Sequence, residues 1–143
     1  MIKAFLDASV LFAASYSSTR ASRELIRLAF QGKAQLAISE DVVEEAERNL
    51  AAKRPDALVV LHQMLDSVPF QTANPTPEDV QRAASYTVPK DAPIVAAAKH
   101  AQVDYLVTLD RRHLVDVAEV AKRSGLKIVL PEEALRQIRA EEK

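Results

Sequence analysis

The sequence predicts an α/β fold: a central, mainly parallel sheet of four or five strands with helices packed on both faces. Three observations predict it. Short runs rich in Val, Ile and Leu alternate with longer stretches of helical periodicity along the 143 residues. The short runs are apolar throughout, as strands buried on both faces of a parallel sheet are. The breaks between them carry helix punctuation, with Pro and acids at the starts and Gly at the stops.

The elements follow in order. IKAFL (2–6) reads as a short buried strand. Thr19 to Gln31 reads as a helix stopped by Gly32. AQLAIS (34–39) is a second strand, and SEDVVEEAERNLAAK (39–53) a helix with Ser39 as its cap, ending before Pro55. Leu58, Leu61 and Leu65 mark a helical stripe within 56–66, and SVPF (67–70) reads as a short strand. Thr76, Pro77 and the acids after them start a helix, and KDAP (90–93) starts another that runs through AAAKHA. VDYLVT (103–108) is a strand, 114–124 a helix stopped by Gly125, and LKIVL (126–130) the last strand. Pro131 opens a final helix to about Ala140.

Bulk properties bound the function. The length fits one domain spanning 1–143, with no linker, repeat or low-complexity segment. No apolar run approaches the length of a membrane span, the signal-peptide layout is missing, and a cytoplasmic location is expected. With no cysteine there is no disulfide and no thiolate metal site. The two glycines, Gly32 and Gly125, cannot form a glycine-rich nucleotide loop. A net charge of −1 is not the balance of a protein held to nucleic acid by surface charge alone. A nucleic-acid role then requires local basic clusters, or cations that offset acidic groups.

Asp7 interrupts an apolar stretch, which costs free energy unless something compensates. It follows the first strand directly, and Asp110 follows VDYLVT after Thr108 and Leu109. Both fall at the carboxyl edge of a parallel sheet, where sites form in such folds. Asp91 opens a helix whose buried stripe is Ile94, Ala98 and Ala101, near which it projects. In the 39–53 helix the stripe is Val42, Val43, Ala46 and Leu50. Glu44 and Arg48 face solvent, while Glu45, with Glu47 as the alternative, flanks the core.

Each acid has an ordinary rival explanation: Asp7 and Asp91 as helix caps, Asp110 as a turn residue, Glu45 as a solvated helix acid. Together they repel unless cations neutralise them, and carboxylates suit Mg²⁺ or Mn²⁺. No histidine pair has zinc-ligand spacing. His62, His100 and His113 read as surface or satisfied residues rather than ligands. Arg20, Arg23 and Arg27 make a basic strip or a plain solvated helix face, and Lys90, Arg111 and Arg112 adjoin the acids.

FLDASVLFAA, ISEDVVEEAERNL, PKDAPIVAAAKHAQVDYLVTLDRRHL and IVLPEEAL together resemble the PIN-domain ribonucleases, especially the toxin subunits of type II toxin–antitoxin pairs (VapC-like). The resemblance runs from end to end, and TLDRRHL joined to D-x-x-I-x-x-A-A is its most specific part. It implies a three-layer α/β/α PIN-like domain with four acids, Asp7, Glu45, Asp91 and Asp110, around one or two Mg²⁺ or Mn²⁺ ions. Ser9 and Thr108 match supporting hydroxyl positions. Many relatives carry a further acid soon after the fourth, where this chain has His113. The implied activity is metal-assisted endonucleolytic hydrolysis of RNA, leaving 3′-hydroxyl and 5′-phosphate ends, with Asp91 or Asp110 also orienting or deprotonating the water. The implied partners are an RNA substrate, a neutralising cognate antitoxin and a second copy of the chain, with the 19–31 and 56–66 helices as contact surfaces. The alternative is a PIN-like subunit that binds RNA or protein without cutting.

Overall fold

The chain turns back on itself at its first strand. β1 (Lys3–Leu6) lies at the centre of a five-stranded sheet of order β3-β2-β1-β4-β5, in which every neighbouring pair is parallel. From β1 the chain moves outward through β2 (Gln35–Ile38) to β3 (Gln71–Thr72). It then crosses back to β4 (Tyr105–Val107) on the other side of β1 and ends the sheet at β5 (Lys127–Val129). Phe5 is in register with Ala37 on one side and Leu106 on the other. The computed structural model describes residues 1–142.

Helices cover both faces in a three-layer α/β/α arrangement. On one face α1 (Ala8–Tyr16) packs against α2 (Ala21–Phe30), α3 (Glu40–Lys53) and α4 (Leu58–Ser67), and α2 packs against α8 (Pro131–Glu141). On the other, α5 (Pro77–Ala84) packs against α6 (Ala92–Ala101), which leans on β2. A π-helical turn (Arg111–Val115) precedes α7 (Ala118–Ser124) and packs with it. The central strand is sealed on both sides: Ala4, Phe5 and Leu6 are fully buried. This explains why these strands are apolar throughout.

The expected helix punctuation is present. Ser39 Oγ accepts from Val42 N at 3.2 Å, and Thr76 and Asp79 form a reciprocal capping box. Gly125, at φ +76°, closes α7 in the left-handed conformation that only glycine adopts without strain.

Three expectations need correction. Residues 8–16, assigned to no element of their own, form α1; its residues are apolar nearly all round, so no amphipathic stripe marks it. The third strand is not SVPF (67–70) but Gln71–Thr72, because α4 continues through Ser67. Val68 is buried and Phe70 half-buried, so they anchor the connection while the polar pair after them makes the edge pairing. The helix expected over 114–124 is broken: the π-helical turn ends at Val115 and α7 begins at Ala118.

Candidate metal centre

The chain reverses its direction of travel across the sheet between β1 and β4, and ligand crevices form at such switch points, outside the carboxyl ends of the strands. Asp7 leaves β1 there, and Thr108 and Asp110 leave β4. Asp7 N donates to Val107 O at 3.0 Å, which carries the β1–β4 pairing right up to the site.

Asp7 is 5% exposed and both of its oxygens are held. Oδ1 accepts from Ala8 N at 2.6 Å, so Asp7 does cap α1. Oδ2 accepts from Thr108 Oγ1 at 2.6 Å and from Ser9 Oγ at 3.3 Å. The two hydroxyls also reach the next loop: Thr108 Oγ1 accepts from Asp110 N at 3.0 Å, and Ser9 Oγ from Leu109 N at 3.1 Å. Ser9 and Thr108 therefore fasten the two strand ends together. Asp110 also caps, with Oδ1 accepting from His113 N at 3.0 Å. Its Oδ2 lies 3.4 Å from His113 Nδ1 and 3.9 Å from Lys90 Nζ.

Asp91 differs from both. It stands at the N-cap position of α6 but makes no capping bond, and it is 5% exposed. Its Oδ2 is one of two buried side-chain atoms without a hydrogen-bond partner among the described residues; Thr87 Oγ1 is the other. An unpaired buried carboxylate oxygen is costly, and further acids nearby add to the cost. Ligand-capable atoms of Asp91, Asp110 and His113 all lie within 4.8 Å of one another. Burial pushes the Asp91 carboxyl up to about 6, opposed by Lys90 and reinforced by Asp110 and Asp7. Burial likewise raises Asp7 against the hydrogen bonds from Thr108, Ala8 and Ser9, with Asp110 adding to the rise. Glu45 is half-buried on the core flank of α3 and is raised by burial and by the charge of Asp7. Asp7 and Glu45 border the tight trio without joining it. Glu47, the alternative on α3, faces His62 at 3.4 Å instead.

The donor set fits a hard divalent cation: carboxylate oxygens, no thiolate, and one orphaned oxygen that a cation would satisfy. Thr108→Val tests the clasp. It keeps the shape and removes the hydroxyl, and about 2 kcal/mol of stability is expected to go with it. Affinity for Mn²⁺ is expected to fall ~10–100-fold, as for other groups that orient metal-binding carboxylates. Denaturant unfolding and titration calorimetry measure the two effects.

Residues 3–112 match the model of the PIN domain family, well over half of the chain. This chain belongs to the PIN domain family. PIN domains are generally nucleases, typically dependent on divalent metals. No curated protein matches the chain. Among solved structures it is similar to PAE2754 from Pyrobaculum aerophilum, at 22% identity and TM-score 0.65, over 97% of this chain and 90% of that one. It is also similar to VapBC2 from Rickettsia felis, crystallised with a DNA fragment from its promoter, at 13% identity and TM-score 0.64, over 90% of this chain and 98% of that one.

Around the acids of this PIN domain, two expectations change. His113, read as a surface or satisfied residue, is half-buried, pairs with Asp110 at 3.4 Å and has a ligand-capable atom within the Asp91–Asp110 group. Its spacing to Asp110 was the available signal, hidden because a helix rather than a π-helical turn was expected soon after Asp110. The arginine strip is not a free basic face. Arg23 is spent on the carbonyls of Ala14 and Ser15, Arg27 pairs with Glu24, and Arg20 lies over the Tyr16 ring. Lys90 and Arg112 are exposed beside the acids, while Arg111 pairs with Asp116 at 3.3 Å. A cleft of about 440 Å³ lies elsewhere, lined by Arg82, Lys99, His100 and Arg123. Its lining on α6 runs from Ala96 to His100 and includes none of Asp7, Glu45, Asp91 and Asp110.

Proposed function

We propose that this PIN domain, residues 1–143 acting as one unit, is a Mg²⁺- or Mn²⁺-dependent endoribonuclease. The observation that carries the reading is Asp91, buried with one carboxylate oxygen unpartnered and a ligand-capable atom within 4.8 Å of those of Asp110 and His113. Asp7, Glu45, Asp91 and Asp110 would hold one or two ions. A divalent ion bound there supplies Lewis acidity and offsets charge on the phosphoryl oxygens. The chain does the positioning. Ser9 and Thr108 fix Asp7 relative to Asp110, so the carboxylates need little reorganisation when substrate arrives. Asp91 or Asp110 would orient the attacking water and accept its proton. Lys90 and Arg112, exposed at the rim, meet the phosphate backbone of the strand.

The chain further reads as a cytoplasmic toxin neutralised by a cognate antitoxin, the likeness to a VapBC protein supporting this. Phe30 and Val59, 66% and 57% exposed, stand on α2 and α4, the helices expected to contact an antitoxin or a second copy. The test is cleavage of a mixed RNA pool with Mn²⁺ or Mg²⁺, with and without chelator, comparing wild type with Asp7→Asn. Asparagine keeps the cap acceptor and removes the charge. Metal-dependent cutting that Asp7→Asn abolishes while staying folded is the expected result. A folded wild type that cuts nothing across many RNAs would favour a subunit that binds RNA or protein without cutting.

A further inference from the structure

We propose that His113 gives the ion held between Asp91 and Asp110 a nitrogen ligand, so that the centre prefers Mn²⁺ to Mg²⁺. The inference rests on the metal-dependent reading above and goes beyond it, because it assigns a ligand outside the four acids and a metal preference.

Four features carry it. First, the ligand atoms of Asp91, Asp110 and His113 already lie within 4.8 Å of one another. Donors of a six-coordinate ion with bonds near 2.1 Å stand about 3 to 4.2 Å apart, so the trio needs only a small contraction. Second, Asp91, whose side chain reaches into the group, is buried and keeps one oxygen, Oδ2, without a donor, which marks a place for a cation rather than for another hydrogen bond. Third, His113 is held there by the main chain. Its N–H donates to Asp110 Oδ1 at 3.0 Å, and Val115 N donates to Asp110 O at 3.1 Å across the π-helical turn. Such turns recur at functional sites. Leu114, fully buried next to it, pins the turn to the core. Fourth, Nδ1 rather than a distant ring edge faces the group, 3.4 Å from Asp110 Oδ2.

The preference follows from the donors. Mg²⁺ demands hard oxygen ligands in near-ideal geometry and gives up its water reluctantly. Imidazole is a softer donor that first-row transition ions accept and Mg²⁺ accepts poorly. Carboxylates alone suit both ions, so a nitrogen donor widens the separation between them.

The experiment compares wild type, His113→Ala, His113→Asp and Asp91→Asn, binding Mn²⁺ and Mg²⁺ separately by calorimetry. Electron spin-echo modulation of bound Mn²⁺ reads directly coordinated nitrogen. Wild type is expected to bind Mn²⁺ at least tenfold more tightly than Mg²⁺ and to show nitrogen modulation. In His113→Ala and His113→Asp the modulation disappears and the preference falls severalfold or more, with Mg²⁺ affinity held or improved in His113→Asp. If Asp91→Asn abolishes Mn²⁺ binding but wild type shows no nitrogen modulation and His113→Ala keeps the same preference, the nitrogen ligand is wrong and the carboxylate site stands. If folded wild type binds neither ion at millimolar concentration, both readings fall together.

Discussion

Asp91→Asn is expected to make the metal-free protein more stable at pH 8 while lowering metal-dependent RNA cleavage roughly a thousandfold, or about 4 kcal/mol of transition-state stabilisation. The two effects have one origin. Folding moves Asp91 from water to a pocket where its carboxyl is pushed up to about 6 from an ordinary value of 3.8. At pH 8 the group is ionised in both states, so the folded state carries a penalty of at most about 3 kcal/mol. Relaxation and water penetration around the buried carboxylate roughly halve it. Asparagine removes the charge and returns part of the gain through an amide that finds no partner, leaving the variant about 1 kcal/mol more stable. At pH 4 the wild-type carboxyl is largely protonated and the difference closes. Chemical denaturation at the two pH values measures it. A variant less stable than wild type at pH 8 would mean that the Asp91 carboxylate is satisfied in solution and is no site for a cation.

The site shows where a sequence can be read and where it cannot. Asp7, Asp91 and Asp110 follow strands or open a helix, and helix and strand ends are written in local signals. Glu45 was separated from Glu44 by helical geometry alone, and the structure puts Glu44 in solvent and Glu45 on the core flank. The sheet was legible because strands buried on both faces have no polar positions to blur them. Helix α1 was hidden for the same reason, since a helix surrounded by core has no stripe. The sequence places His113 near Asp110, but its orientation depends on a π-helical turn, and no local rule separates that turn from an ordinary helix start. Ser9 and Thr108 were expected only as supports. Their hydrogen bonds to each other's loops depend on β1 and β4 being neighbours, which spacing does not reveal.

Added Mn²⁺ is expected to raise the melting temperature at pH 7.5 and to lose that effect by pH 5. Asp7, Glu45 and Asp91 are all raised. For acids raised by folding, the metal-free protein carries no penalty below the usual carboxylate range, where both states are protonated. The penalty grows as pH rises and is complete above the folded-state values, near pH 6 for Asp91. A divalent ion binds the ionised forms, so it opposes the penalty where the penalty is greatest. At a hundred times its dissociation constant, an ion bound only by the folded state contributes about 2.7 kcal/mol. For a chain of this size that is roughly 6–10 °C. As pH falls toward 5 the ion must displace protons from Asp91 and its neighbours, and the shift shrinks. Scanning calorimetry at both values, with Asp91→Asn as control, decides the matter. An equal shift at both pH values, or one that survives in the variant, would place the ion elsewhere.

The hydrogen bond from Thr108 to Asp7 joins residues 101 positions apart. Asp7 leaves the ribosome long before its partner is made, at ~5–20 residues per second. Until β4 has emerged and docked beside β1, the nascent chain has one half of a pocket and no Asp110 or His113 to complete it. For a chain that cuts RNA, this order of synthesis is a safeguard. If the chain cuts RNA as proposed, the growing polypeptide stays incapable of attacking the message that encodes it until translation is nearly finished.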